Sequence, residues 1–266
     1  VAIASGDADY AVTAISGGLI SLADKGAAKV IGGALSEEPG IDGQKILASD
    51  AAFQAGLTSP AALDGKTFGM TTAGSSFHYM GSKVAAAEGA TLSFRPLQKV
   101  GAIIGALRSG QIDAWSIVPH IAKPLAGSGE VHIIGNVADY LPGYQVTTVF
   151  TSAGNAADER QLTGDFLGAY SRGVDDYAAA MIDRADGDAG VDAMVDLIHT
   201  YVYTDREREK AAPSIINGTM RLNAGARLNL GSVTDQLAWF QSEGLVDAGI
   251  TVETLVDGSY VETYGA

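Results

Sequence analysis

No cysteine occurs among the 266 residues, and that absence excludes disulfides, zinc–thiolate sites and thiol nucleophiles at once. Positive charge is also scarce: 17 Lys and Arg stand against 31 Asp and Glu, a net charge of −14. A chain this acidic repels polyanions unless a local basic patch overrides its field. The densest charge cluster, Asp205-Arg206-Glu207-Arg208-Glu209-Lys210, alternates in sign and reads as a solvated helix face, so no nucleic-acid partner is expected. An anionic small molecule stays compatible, because backbone N–H groups at helix N-termini bind anions without net positive charge. No apolar run approaches the ~18 residues needed to cross a bilayer. The first residues lack the charged-then-apolar order of a secretory signal. Only four histidines are present, and His78, His120, His132 and His199 form no close ligand pair on one helix face. No metal and no cofactor is expected.

What is present is a globular composition, 47% hydrophobic without low-complexity tracts, and a regular alternation of short apolar runs. Segments 9–14, 29–34, 45–48, 67–71, 114–118 and 131–134 are bounded by Gly, Asp or Pro and read as strands. Alanine-rich amphipathic segments at 76–88 and 102–109 lie between them, which predicts an α/β fold with mostly parallel strands. From Asp158 onward the pattern is helical, over 160–183, 190–202, 206–217 and 232–243, with Gly244 as a helix C-cap.

One internal echo stands out. Ser5-Gly6-Asp7-Ala8-Asp9-Tyr10-Ala11-Val12 and Ser109-Gly110-Gln111-Ile112-Asp113-Ala114-Trp115-Ser116 both read as helix end, Ser-Gly turn, two variable residues, Asp, then strand. In each, glycine supplies the left-handed residue that stops a helix, and Asp can bond the turn before the chain enters a sheet. Two halves of similar topology would each present strand ends to a shared crevice, the place where open α/β sheets bind ligands.

These stretches, together with Leu63-Asp64-Gly65-Lys66-Thr67-Phe68-Gly69, Trp115 followed by Pro119, Gln236-Leu237-Ala238-Trp239-Phe240 and Glu243-Gly244-Leu245-Val246, resemble the periplasmic solute-binding proteins of nitrate, sulfonate and taurine ABC importers and their thiamine-precursor-binding relatives. The resemblance implies a type II periplasmic binding protein fold, with two lobes of mostly parallel sheet joined by a hinge and a helical C-terminal half packed around lobe one. It places crossings near residues 50–64 and 146–152, giving lobe one over 1–63, lobe two over 64–150 and the rest of lobe one over 151–266. Family members begin with a strand, a helix and a second strand ahead of the first helix-Ser-Gly-Asp element. Val1 is expected in the last turn of that helix, so part of the pocket and any signal sequence would fall outside these 266 residues. A periplasmic monomer that binds a small molecule and docks on a transporter permease is implied, with no catalytic residue.

Candidate ligand contacts follow. Thr72, Ser75, Ser76 and His78 sit in Thr71-Thr72-Ala73-Gly74-Ser75-Ser76-Phe77-His78-Tyr79, where a strand gives way to a helix. Free N–H groups and hydroxyls there make an anion site, while a plain N-cap and a glycine turn account for the same residues structurally. Thr13, Ala14 and Ser16 occupy the first strand exit, and Ser116 and Pro119 the second, the two exits being expected to face each other. Trp115 reads as pocket wall or core, and Tyr144 stands before the return crossing. Two rival functions share the fold: a sensory ligand-binding domain, and a pyrimidine-precursor enzyme whose relatives carry a cysteine-rich motif that this chain lacks. No Gly-x-Ser-x-Gly elbow or His-Glu-x-x-His helix is present.

Overall fold

The computed structural model describes residues 2–265, and Val1 lies outside them. In chain order the elements are α1 (Ala2–Ser5), β1 (Tyr10–Ala14), α2 (Gly17–Asp24), β2 (Ala28–Ser36), β3 (Lys45–Ser49), α3 (Asp50–Gln54), β4 (Thr67–Met70), α4 (Ser76–Glu88), β5 (Ser93–Pro96), α5 (Val100–Arg108), β6 (Ala114–Ile117), α6 (Pro119–Gly127), β7 (Val131–Asn136) and β8 (Gln145–Ser152). The remainder runs α7 (Ala153–Asp158), α8 (Arg160–Tyr177), α9 (Gly187–Val202), α10 (Arg208–Asn217), β9 (Leu228–Asn229), α11 (Leu230–Ser242), α12 (Val252–Leu255) and β10 (Thr263–Tyr264). Every strand read from the sequence is present. β5, β8 and the two-residue strands β9 and β10 were not read from the sequence.

Two main sheets organise the chain. The first has the order β1-β8-β2, with β8 antiparallel to both neighbours. The second has the order β5-β4-β6-β3-β7, in which β4 runs parallel to β5 and β6 while β3 is antiparallel to β6 and β7. In each sheet the one reversed strand is the one reached by crossing from the other, so the remaining strands share a direction. Each sheet carries its own core: Ile20, Val30, Leu237 and Phe240 on the first, Ile46, Leu47, Phe68 and Trp115 on the second. At Gly33 in β2 a Cβ would lie 2.2 Å from the Arg227 carbonyl oxygen, so only glycine permits the loop before β9 to press on the sheet.

Sheet membership corrects the expected crossings. The chain leaves the first sheet after Ser36 and joins the second at Lys45, upstream of 50–64, because fully buried Ile46, Leu47 and Ala48 are zipped between β6 and β7. It returns between Asn136 and Gln145, upstream of 146–152, since Gln145–Ser152 is the middle strand of the first sheet. The two crossing segments run side by side: Gly143 N–H donates to Glu37 O (2.8 Å), Glu37 N–H to Tyr144 O (2.9 Å) and Val137 N–H to Gln44 O (2.9 Å).

A second correction concerns the helical half. It does not wrap the first sheet alone, because α10 packs on α6 of the second. Lys123 Nζ donates to Asn217 O (3.2 Å), and Gly218 lies so near His120 that a Cβ there would stand 2.7 Å from the His120 Cβ.

Candidate functional site

The ends of β1 and β4 meet across the seam between the sheets. Ser16 caps α2 by accepting the Leu19 N–H (3.3 Å), and Ser75 caps α4 by accepting the His78 N–H (3.4 Å). Between these caps Gly17 N–H donates directly to Gly74 O (3.1 Å), joining the N-terminal turn of one helix to the loop before the other. Gly74 sits at φ +73°, a left-handed turn that glycine permits, and a Cβ there would stand at ordinary contact distance, 3.6 to 3.8 Å, from Phe240, Gly17 and Leu245. Two helix N-termini with exposed Thr72, buried Ser75 and half-buried Ser76 converge at this point. Their N–H groups and hydroxyls suit a small polar or anionic group.

Helix α11 grips α4 alongside. Tyr79 Oη donates to Asp235 Oδ2 (2.5 Å), and Lys83 Nζ pairs with the same carboxylate at 2.8 Å. Burial opposes ionisation of Asp235, and hydrogen bonds from Lys83 and Tyr79 more than offset it, holding the carboxyl below its usual range. Burial first, and then Asp235, pushes the Tyr79 phenol far above its ordinary value. One turn along α11, Trp239 meets His78 (5.0 Å between centroids) and Tyr79 (5.4 Å) edge to face. His78 Nδ1 accepts the Gly74 N–H (3.3 Å), which places any ring proton of the neutral form on Nε2. Burial lowers its pKa, so the ring is neutral near pH 7. A cavity of about 180 Å³ opens beside this grip, lined by Tyr79, Tyr144, Asn229, Ser232 and Asp235. A larger one of about 410 Å³ lies across Gly143, lined by Glu37, Arg221, Asn223, Arg227 and Tyr264.

The expected contacts divide into two sets. Ser16, Thr72, Ser75, Ser76 and His78 are gathered at the seam, and Tyr144 joins them through its ring, 5.1 Å from that of Tyr79. Half-buried Ala14 ends β1 just before them. Exposed Thr13 and the outer side of Ser16 border a groove of about 430 Å³ on the flank, with Ile3, Leu19, Leu22 and Phe150. Trp115 and Ser116 are corrections. Trp115 is fully buried in the second core against Phe77, and the hydroxyl of Ser116, 1% exposed, has Met80 Sδ of α4 at 3.9 Å as its hydrogen-bond partner. Ser16 lines the flank groove, and Ser116 lines neither that groove nor the two cavities described above. Pro119 is buried at the first position of α6, where its ring fits the helix start and its missing N–H costs nothing. Tyr79, Lys83, Asp235, Gln236 and Trp239 were not singled out as contacts. Their signal was spacing: Tyr79/Lys83 and Asp235/Trp239 are i,i+4 pairs, each able to face a partner helix from one side.

Among the described residues no three His, Cys, Asp or Glu side chains assemble as a metal site, and no helix is long and apolar enough to span a membrane.

A twice-crossed pair of α/β sheets with helix N-termini meeting at the seam is the architecture of periplasmic binding proteins. The aliphatic sulphonate binding protein of Escherichia coli superposes with a TM-score of 0.72 at 15% identity, covering 98% of this chain and 79% of its own. The alkanesulfonate-binding protein of Xanthomonas axonopodis pv. citri, bound to MOPS, gives 0.70 at 17% identity, over 97% and 83%. The ligand-binding component of an ABC-type import system from Staphylococcus aureus, with zinc bound, gives 0.69 at 16%, over 100% and 84%. No curated protein sequence matches the chain. Residues 1–181 match the family described as NMT1/THI5 like, and the chain belongs to that family.

Proposed function

We propose that the protein is the extracytoplasmic solute-binding component of an ABC importer. It takes a small polar or anionic solute between the α2 and α4 N-termini and presents it to a transporter permease as a periplasmic monomer. The observation that carries this reading is the Gly17–Gly74 junction, where capped helix starts from two separately cored sheets come within one hydrogen bond of each other. Membership of the NMT1/THI5-like family supports it, as do the printed roles of the structural neighbours. The division into lobes is part of the proposal: residues up to Ser36 and from Gln145 onward form one, Lys45–Asn136 the other. Ser16, Thr72, Ser75, Ser76, His78 and Tyr144 are the proposed contacts. The neighbours whose printed roles are import favour binding over a reaction or a sensory role.

Closure needs no chemistry. Each lobe supplies part of the solute's hydrogen bonds, so the solute favours the state in which both are within reach. Native mass spectrometry of the purified protein should show a carried solute, and its removal should enlarge the radius measured by small-angle scattering. The double variant S75A/S76A should lower affinity for that solute at least tenfold while moving the melting temperature by only a few degrees, since one N-cap is worth ~1 kcal/mol. Unchanged affinity would remove the loop from the site.

A further inference from the structure

Where the two crossing segments meet, the chain buries polar groups that it does not satisfy. Glu37 is 1% exposed, Gln44 2% and Tyr144 2%, and each keeps one atom without a hydrogen-bond partner: Glu37 Oε2, Gln44 Nε2 and Tyr144 Oη. Gln236, fully buried, holds the next backbone carbonyl through Nε2 (Gln145 O, 3.0 Å) and leaves its own Oε1 unpaired. Four of the six such atoms among the described residues therefore gather at this junction. Unpaired buried polar groups are costly enough that a structure retaining several in one place calls for a reason. Room for the carboxyl is created by Gly43, whose Cβ would lie 2.2 Å from Glu37 Oε2. Glu37 Oε1 accepts the Gln44 N–H (3.1 Å).

We infer that Glu37 is a proton-linked element of the hinge: a neutral carboxyl lets the crossing segments stay packed, and its ionisation loosens them. The inference rests on the binding-protein reading, in which these segments are the hinge. The charged and titratable groups around Glu37 do not neutralise it. Lys45, at the start of β3, is committed to Asp42 (2.6 Å) and to Asn136 Oδ1 (2.9 Å). Asp42, on the same crossing, also holds Lys123 of α6. Tyr144 faces it from the other crossing, and Arg221, before β9, is paired with Glu38 at 3.2 Å. Burial raises the Glu37 pKa from its ordinary 4.5, Gln44 and Lys45 draw it part of the way back, and Asp42 adds to the rise.

The sign follows from linkage. In the packed hinge the carboxyl resists ionisation, whereas in a hydrated, open one it ionises near 4.5. Closure is thus favoured on the acid side and weakened as pH climbs from the ordinary value through the raised one, tenfold for each unit between them. His78, the titratable group at the seam, has the opposite sign, because protonating a buried imidazole opposes closure in acid. Asp42 and Asp235 are held below their usual range and titrate beneath this window.

The absence of cysteine makes the test direct. K25C/K99C places dyes on exposed positions after α2 and before α5, one for each sheet. Resonance energy transfer between them, read with no added solute from pH 4.5 to about 8, should report a separation that grows with pH. In E37Q the growth of the separation with pH should be lost, leaving only the opposite trend that His78 sets. E37M should show the same loss, so that a folding failure of one variant leaves the other to decide. A wild-type separation independent of pH, or variants that follow the wild type, would overturn the inference. Neither result bears on solute binding, which the mass spectrometry above decides separately.

Discussion

The two copies of the Ser-Gly-x-x-Asp element fold alike locally and differ in everything that surrounds them. In the first, Gly6 N–H bonds Ile3 O while Asp7 and Ala8 N–H both bond Ala2 O; in the second, Gly110 N–H bonds Leu107 O while Gln111 and Ile112 N–H both bond Ala106 O. Each glycine is left-handed, at φ +78° and +70°. The strands that follow have opposite settings. β6 lies inside the second sheet, and Asp113 reaches its parallel neighbour β4, accepting from Thr67 N (2.7 Å) and Thr67 Oγ1 (2.6 Å). β1 is the edge of the first sheet and pairs only with antiparallel β8. Exposed Asp9 finds no such N–H, and its side chain makes no hydrogen bond among the described residues. An identical turn thus encodes a strand but not its neighbours.

The sharpest test of that contrast is the pair of aspartates. D113A removes two charge-assisted hydrogen bonds and leaves the start of β4 unpinned, so a loss of about 3 kcal/mol is expected in urea unfolding. D9A should cost under ~0.5 kcal/mol, the range of ordinary surface changes. Equal losses would mean that the first copy has a partner for its Asp after all. The glycines should behave as a matched pair. G6A and G110A each force alanine into a left-handed conformation, at about 1 kcal/mol apiece. A much larger loss at Gly110 would show that the 3.4 Å contact its Cβ would make with Ala51 matters more than backbone strain.

Much of this was legible beforehand. Six strands follow from runs of buried aliphatics bounded by turn formers and six helices from amphipathic spacing, whereas the binding-protein architecture was implied by the family resemblance. β8 was not legible, because Gln145–Ser152 carries a glutamine and two threonines, Thr148 and Thr151, that are buried as ladder and core members only once β1 and β2 flank it. The seam loop at Thr72–His78 was legible because capping chemistry is local. The grip of α11 on α4 was not: Asp235 meets Tyr79 across 156 residues, and nothing in either helix alone names the other. Pairing Ser16 with Ser116 failed on register. The echo repeats at 104 residues, from Ser5 to Ser109, so 16 + 104 places Ser16 opposite His120, and 116 − 104 places Ser116 opposite Val12. Ser16 therefore stands beyond its strand while Ser116 stands inside one.

That register yields the smallest effects and the finest discrimination. S16A removes the cap of α2 and should cost about 1 kcal/mol, in line with other N-cap deletions. S116A deletes a hydroxyl whose hydrogen-bond partner is a thioether at 3.9 Å, a weak acceptor. Alanine there forfeits one poor hydrogen bond and relieves the burial of a hydroxyl, so the net change should stay within ~0.5 kcal/mol of zero. If the two serines were equivalent ligand contacts, both variants would weaken solute binding together. If position in the strand governs, S16A alone should lower affinity, by disturbing the Gly17–Gly74 junction one residue away, while S116A binds as the wild type does.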